Sequence, residues 1–280
     1  MTKFLSKDGK FYMRDGKLLG YTPPPPKASL TPQTGITYTT GLSGIEPATL
    51  TMFSQAISNN ADITNNTNTV YVDYDDIHRK IDVGSQVTIA LNGTSYAFDV
   101  LGFNHDALTD VNVYGSETTT GKAGITFQMH DLFAMTYPMN SSNTNINGWK
   151  SSVMRTSTMA TMKGYLPAAW QTAIKPVNKV SGTGGSSSSG TETVSDSCFL
   201  LAEIEIFGST TYSVSGEGAQ YAYYKAGNSK VKNRSGSAGA WWGRSPVSGY
   251  SNRFCAVYSS GSAGYTNASY GTGVAFGFCV

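Results

Sequence analysis

After Trp242 the chain runs to Val280 without a Lys, Glu, Gln, Met or Trp, and without Asp or His. The stretch before it carries several Glu and Lys. So sharp a shift marks a specialised surface. Within it, Cys255, Val257, Ser259, Gly261 and Ala263 alternate with Ala256, Tyr258, Ser260, Ser262 and Gly264. Successive side chains of a strand point to opposite faces, so each set takes one side of an extended segment. The first set is small and mostly apolar, as a packed face requires. The second has no common character. The pattern predicts one strand with its free face over residues 256–264, a loop over 264–267, and a buried strand over 273–280 whose glycines allow close packing.

The rest of the chain also reads as strands and loops. Charged residues make up only 14% of the 280, while Gly reaches 31 and Tyr 17. A helical bundle would want more Glu, Lys, Leu and Ala. The net charge is +2 and no Lys/Arg cluster occurs, so nucleic acid is not an expected partner. No apolar run reaches the length of a membrane span, so no membrane insertion is expected. No apolar signal core follows Lys3, which predicts synthesis in the cytoplasm.

Three regions follow from the punctuation. Residues 1–27 hold two Asp-Gly pieces, Lys7-Asp8-Gly9-Lys10 and Arg14-Asp15-Gly16-Lys17, and then Pro23 to Pro26. They read as a small hairpin arm and a stiff polyproline linker, or equally as an unstructured tail. Residues 28–82 read as β-rich, with a helix turn or two at 49–57 and a strand at 71–74. Their expected role is attachment to a larger assembly. Residues 83–280 form the main domain. It opens with a hairpin turning at Asn92-Gly93. Helices are predicted over 149–180, with Trp149, Val153, Met154, Met159 and Met162 on one, and Trp170, Ala173, Ile174 and Val177 on another. A Gly/Ser loop spans 182–190, and a strand is predicted over 198–207.

Catalytic signals are weak. Glu203, Glu205 and Glu217 could be imagined as an acid pair, but solvated or buried structural carboxylates are commoner. His78, His105 and His130 are scattered, and turn or capping roles suit them better. Cys198, Cys255 and Cys279 form neither a disulfide framework nor a metal spacing, and read as buried small hydrophobes. No nucleophile elbow, phosphate loop or dinucleotide fingerprint is present. The expectation is no catalytic residue, no metal ligand and no cofactor. The C-terminal set, rich in Tyr, Ser, Gly and Asn, has the composition of an antibody-like contact surface. An ordinary Gly/Ser-rich β surface has it too, and composition does not separate the two.

A resemblance bears on that choice. It rests on Asn147-Gly148-Trp149-Lys150-Ser151-Ser152-Val153-Met154-Arg155, Leu166-Pro167, Phe199-Leu200-Leu201-Ala202-Glu203-Ile204-Glu205, Gly216-Glu217-Gly218-Ala219-Gln220-Tyr221 and Trp241-Trp242-Gly243-Arg244-Ser245-Pro246. In this order they resemble the variable proteins of diversity-generating retroelements, close to the formylglycine-generating-enzyme-like branch of the C-type-lectin fold. The resemblance covers residues 83–280. It implies an α+β, C-type-lectin-like domain with a smaller β-rich N-terminal region. It also implies a variable stretch at about 243–280, copied from a template with errors at adenines. Asn codons in such a template never become Lys, Glu, Gln, Met or Trp, the residues missing here.

By this resemblance the ligand-binding, varied positions are Gly243, Val247, Gly249, Tyr250, Asn252, Arg253, Ala256, Tyr258, Ser260, Ser262, Gly264, Tyr265, Thr266, Asn267, Tyr270 and Thr272. The fixed scaffold is Ser245, Pro246, Phe254, Cys255, Val257, Gly261, Ala263, Ala268 and residues 273–280. Gly243 departs from the pattern, which has a larger apolar residue there. Glu46-Pro47-Ala48 lies outside the domain and lacks the Asn of a calcium-dependent sugar loop. The implied function is binding of a protein or cell-surface ligand by a phage or prophage receptor-binding protein or adhesin, located on a virion or a bacterial surface. The alternatives are an oxidoreductase related to the formylglycine-generating group, whose cysteine-pair motif Cys255 and Cys279 do not clearly match, and a structural virion decoration protein.

Overall fold

Asn92 and Gly93 take left-handed φ angles of 47° and 83°, the geometry that a two-residue hairpin turn demands. This turn belongs to a computed structural model that describes residues 5–7, 10–12, 24–187 and 190–280. At the N-terminal end, β1 (Leu5–Lys7) pairs antiparallel with β2 (Lys10–Tyr12), Lys7 opposite Lys10, as the first Asp-Gly piece predicts. The second piece, at 14–17, and Pro23 lie outside the described residues.

Four short strands follow: β3 (Lys27–Ser29), β4 (Thr39–Thr40), β5 (Thr69–Tyr74) and β6 (Ile77–Asp82), in the sheet order β3-β5-β6-β4. Helix α1 (Pro47–Ser58) interrupts them and is longer than the sequence pattern indicates. Pro47 suits its first turn because that position needs no N–H. Leu50, Phe53 and Ile57 form its buried stripe.

That stripe does not stay within the N-terminal region. One hydrophobic core runs from Leu42 to Val280, across the expected boundary at residues 82 and 83. Ser54 of α1 accepts a hydrogen bond from the Ile125 amide at 3.1 Å and donates one to the Val280 carbonyl. The buried Asn104 amide donates to Ile57 O at 2.9 Å and Ile63 O at 2.8 Å, closing the C-terminal end of α1.

The hairpin strands are β7 (Gln86–Leu91) and β8 (Thr94–Phe103), and β9 (Ile125–Met129) pairs with β8. The helical segment then breaks into α2 (Gly148–Ser151), a π-turn at Met154–Thr158, α3 (Met159–Tyr165) and α4 (Ala168–Ala173). Trp149, Met154, Met159, Met162 and Trp170 are buried core, as their spacing predicts, but Val153, at the start of the π-turn, is turned out to solvent. Val177 is not on the last helix. Pro176 disfavours helical backbone at Lys175, and Val177 starts β10 (Val177–Gly182), paired with β11 (Thr191–Asp196).

The strand expected over 198–207 is a second correction. Only β12 (Cys198–Phe199) is extended, and Glu203–Phe207 forms the short helix α5. The Glu205 carboxylate accepts the Ala202 amide at 2.9 Å, and Gly208 ends the turn at φ 73°. Then come α6 (Ala222–Lys225), β13 (Lys232–Arg234), β14 (Ser237–Gly239) and β15 (Trp241–Pro246).

A third correction concerns residues 256–267. They are a hairpin, β16 (Arg253–Val257) with β17 (Ala263–Asn267), not one strand and a loop. Gly261 at φ 83° permits the reversal, and its amide donates to Tyr258 O at 2.8 Å. The period-two pattern over residues 255–264 continues through the turn residues 258–262, so it reads straight through the reversal. The last strand, β18 (Gly277–Cys279), sits between β12 and β9 in the five-stranded order β12-β18-β9-β8-β7. A Cβ on Gly277 would lie 2.7 Å from Phe127 O, so only glycine fits there. The architecture is mixed α+β and dominated by strands.

Replacing Asn104 with Ala would strand the Ile57 and Ile63 carbonyls in a dry interior. The expected loss is about 1–3 kcal/mol of unfolding free energy. Denaturant titration of Asn104→Ala beside wild type measures it.

Candidate functional site

The C-terminal sheet, in the order β15-β16-β17, is seated by two tryptophans. Trp241 Nε1 donates to Lys230 O at 3.0 Å and Trp242 Nε1 to Tyr137 O at 2.7 Å, while both rings are buried. Beneath it lies a buried ionic network. Arg244, wholly buried, donates to both Glu205 oxygens at 2.5 and 2.9 Å. It also donates to the carbonyls of Val180, Leu200 and Glu217. Lys179 Nζ links Glu205 at 2.7 Å to Asp106 at 2.6 Å.

Burial raises the energy of both carboxylates, but their cations overcome it. Lys179 and the neighbouring His105 hold Asp106 well below the usual range. Arg244 and Lys179 hold Glu205 below it. Such depressed carboxylates give stability that is present above the ordinary 4.5 of Glu and is lost as pH falls through the folded values. Glu217 differs: burial pushes it up, and its oxygens accept from Ser245 Oγ at 2.5 Å and the Gly182 amide at 2.7 Å. The three Glu that sequence reasoning weighed as an acid pair are thus buried braces.

Glu203 braces the surface directly. Its carboxylate accepts the amides of Tyr212 and Ser213, holding a loop against the edge of the C-terminal sheet. On the other side stands Asn145, fully buried. Its Nδ2 donates to the carbonyls of Tyr250 and Arg253, both at 2.7 Å, and its Oδ1 accepts from the Gly185 amide at 2.9 Å. Its own amide donates to Ser251 O at 2.8 Å. One asparagine therefore fixes the loop between β15 and β16.

On this frame four tyrosines and one arginine come together. The Arg253 guanidinium lies over the rings of Tyr250, 4.4 Å away, and Tyr265, 4.8 Å away. Those two rings lie within 23° of parallel. Tyr212 meets Tyr265 edge-on at 5.0 Å. Tyr258 donates its hydroxyl to Tyr265 O at 3.3 Å, and its ring crosses over Gly264. Tyr250 and Tyr258 remain 46% and 42% exposed, so much of this aromatic surface meets solvent.

The expected positions divide by exposure. Gly249, Tyr250, Tyr258, Ser260, Ser262 and Tyr270 are exposed; Asn252, Arg253, Tyr265, Thr266 and Asn267 are half-buried. Gly243, Val247, Ala256, Gly264 and Thr272 are buried and correct the expectation of a solvent-facing set. A Cβ on Gly243 would lie 3.2 Å from Leu201 O and 3.4 Å from Cys255 O, so the strand passes too close to its neighbours for a larger residue. Of the expected scaffold, Gly261 and Ala263 are half-buried and the rest buried.

Tyr212 and Asn145 were not foreseen. Tyr212 sits in a Thr-Thr-Tyr-Ser run with no periodic signal, and an asparagine in a turn-rich stretch looks like any other.

The remaining candidates have structural partners. His78 pairs with Asp73 at 2.7 Å, His130 with Asp99 at 2.8 Å, and the His105 ring stacks on Tyr221 at 3.8 Å. The three thiols are buried and unpaired with one another. Burial pushes Cys198 up to about 12, and burial followed by nearby carboxylates pushes Cys255 and Cys279 well above the usual thiol value. No group of three or more His, Cys, Asp or Glu among the described residues is placed to hold a metal. No helix among them is long and apolar enough to cross a membrane.

Comparison with known families gives a match over the C-terminal part of the chain. The model of a family described as a domain of unknown function (DUF6273) matches residues 123–280. That span contains every residue of the tyrosine surface and, except for Asp106, the whole ionic network. No curated protein and no solved structure matches.

Removing the arginine from the network leaves Glu205 with one cation where it had two. Arg244→Met is expected to destabilise the protein by about 3–5 kcal/mol, and Arg244→Met with Glu205→Leu to recover much of that loss. Chemical denaturation of the single and double variants is the measurement.

Proposed function

The chain belongs to the DUF6273 family of domains of unknown function, and we propose that it is a ligand-binding protein with a C-type-lectin-like fold whose tyrosine surface is diversified by a retroelement. Its role is receptor binding or adhesion, on a phage particle or a bacterial surface. The carrying observation is the cluster of exposed Tyr250 and Tyr258 with half-buried Tyr212, Tyr265 and Arg253 on a backbone braced by Asn145 and Glu203. Tyrosine offers large contact area with few rotatable bonds, and a fixed backbone lowers the entropy lost on binding. The braces lie outside the compositionally shifted stretch, which lets side chains vary without unseating the loop. Residues 24–82, packed into the same core, join this domain to its assembly.

Two tests follow. A reverse transcriptase gene and a near-copy of the codons for residues 243–280 are expected close to this gene. Among sister clones, substitutions should fall at adenine positions of the exposed and half-buried set, and spare Gly243. An even spread over the stretch, or the lack of a template copy, rejects diversification. Binding is tested separately with Tyr250→Ala/Tyr258→Ala/Tyr265→Ala, which should abolish attachment of labelled protein or virions to cells of the host. Unchanged attachment favours a decoration protein instead.

An oxidoreductase using Cys255 and Cys279 finds little support. A thiol must ionise to attack, and both are buried beside carboxylates. Iodoacetamide at neutral pH is expected to label none of the three cysteines in the native protein and all of them in denaturant. Rapid native labelling with cysteine-dependent turnover would reverse the assignment.

A further inference from the structure

Arg253 is the last charged side chain in the sequence, and Arg244, just before it, is buried and paired with Glu205. Among the described residues, Arg253 is the one cation seated on the rings of the tyrosine surface. Among the described residues its guanidinium has ring partners only, Tyr250 and Tyr265, with no carboxylate and no hydrogen-bond acceptor. Ring faces attract a cation through their quadrupole and consume none of its N–H donors. The group is therefore restrained before any partner arrives, and all five donors remain unspent.

We propose that the partner is a protein surface presenting an aspartate or glutamate carboxylate to Arg253, with Tyr250, Tyr258 and Tyr265 sealing the contact from water. This rests on the binding role argued above and names the chemistry of its ligand. A planar guanidinium matches a carboxylate edge with two parallel hydrogen bonds, the strongest arrangement open to it. Surrounding rings raise the value of that pair by excluding water, as in interface hot spots rich in Tyr and Arg. A polyanion such as nucleic acid or an acidic polysaccharide calls for a row of cations, and this surface has one. Neutral Asn267 and Thr266, opposite Arg253 and Phe254 in the β16–β17 ladder, suit the polar rim of a protein contact.

The test uses the full chain and a displayed library of random dodecapeptides. Peptides selected by wild type should be enriched about twofold or more in Asp and Glu over the input, while those selected by Arg253→Glu should be enriched in Lys and Arg. The best acidic peptide should bind Arg253→Gln about tenfold or more weakly than wild type. Circular dichroism of the variants should match wild type, and their melting temperatures should fall by no more than about 2–4 °C, since the half-buried side chain makes ring contacts only. Selection that depends on the tyrosines but shows no acidic bias overturns the carboxylate inference and leaves the binding role standing. Binding of polygalacturonate without acidic peptides overturns it in favour of a polysaccharide. Selection no better than that of a variant with Tyr212, Tyr250, Tyr258 and Tyr265 all changed to Ala removes the binding role itself, and this inference with it.

Discussion

The bidentate contact between Arg244 and Glu205 is the interaction on which the family domain depends. It joins β15 to α5, and through Lys179 it joins both to β10 and Asp106. Two negative and two positive groups in a dry interior would be costly in any other arrangement. Here every guanidinium N–H has an oxygen to meet, so the segments that supply those oxygens are held in one relative position. The carbonyls of Val180, Leu200 and Glu217 come from three separate parts of the chain. A slip in any of them would leave a charge unpaired, which makes this packing a specific one.

The same logic reaches the surface through neutral groups. Asn145 uses both of its amide donors and its oxygen on backbone partners, and Glu203 does likewise with the loop at Tyr212. Neither brace touches the exposed face of a tyrosine ring. Backbone shape is thus separated from side-chain identity at the site. The hairpin turn and loop can carry other side chains as long as the carbonyls of Tyr250 and Arg253 stay where Asn145 meets them. The buried positions next to them lack this freedom, because Ala256 and Gly264 lie opposite each other in the β16–β17 ladder with little space around them.

Where local chemistry decides structure, the sequence is legible. The Asn92-Gly93 turn, the buried Trp and Met positions of the helical segment and the packed C-terminal strand all follow from backbone preference or spacing. Reading fails where two patterns coincide. Residues 203–207 alternate like a strand, yet one carboxylate and Gly208 turn them into a helix. The alternation over residues 255–264 runs on through the hairpin turn, and nothing in the period marks Gly261 as the turning point. The span of α1 and its docking across residue 82 depend on Ser54 and Asn104, whose partners are remote in sequence.

The compositional break after Trp242 was evident from the residues alone, and with it the location of the surface and its supply of tyrosines. That much needs no geometry, because an absence of residue types is a property of the chain. Tertiary structure decided which of those residues meet solvent, that Tyr212 joins them, and that Arg253 lies against two rings with no anion beside it among the described residues. These are contacts between segments far apart in sequence. They depend on the braces at Asn145, Glu203 and Arg244, and no local pattern encodes the partners that those side chains find.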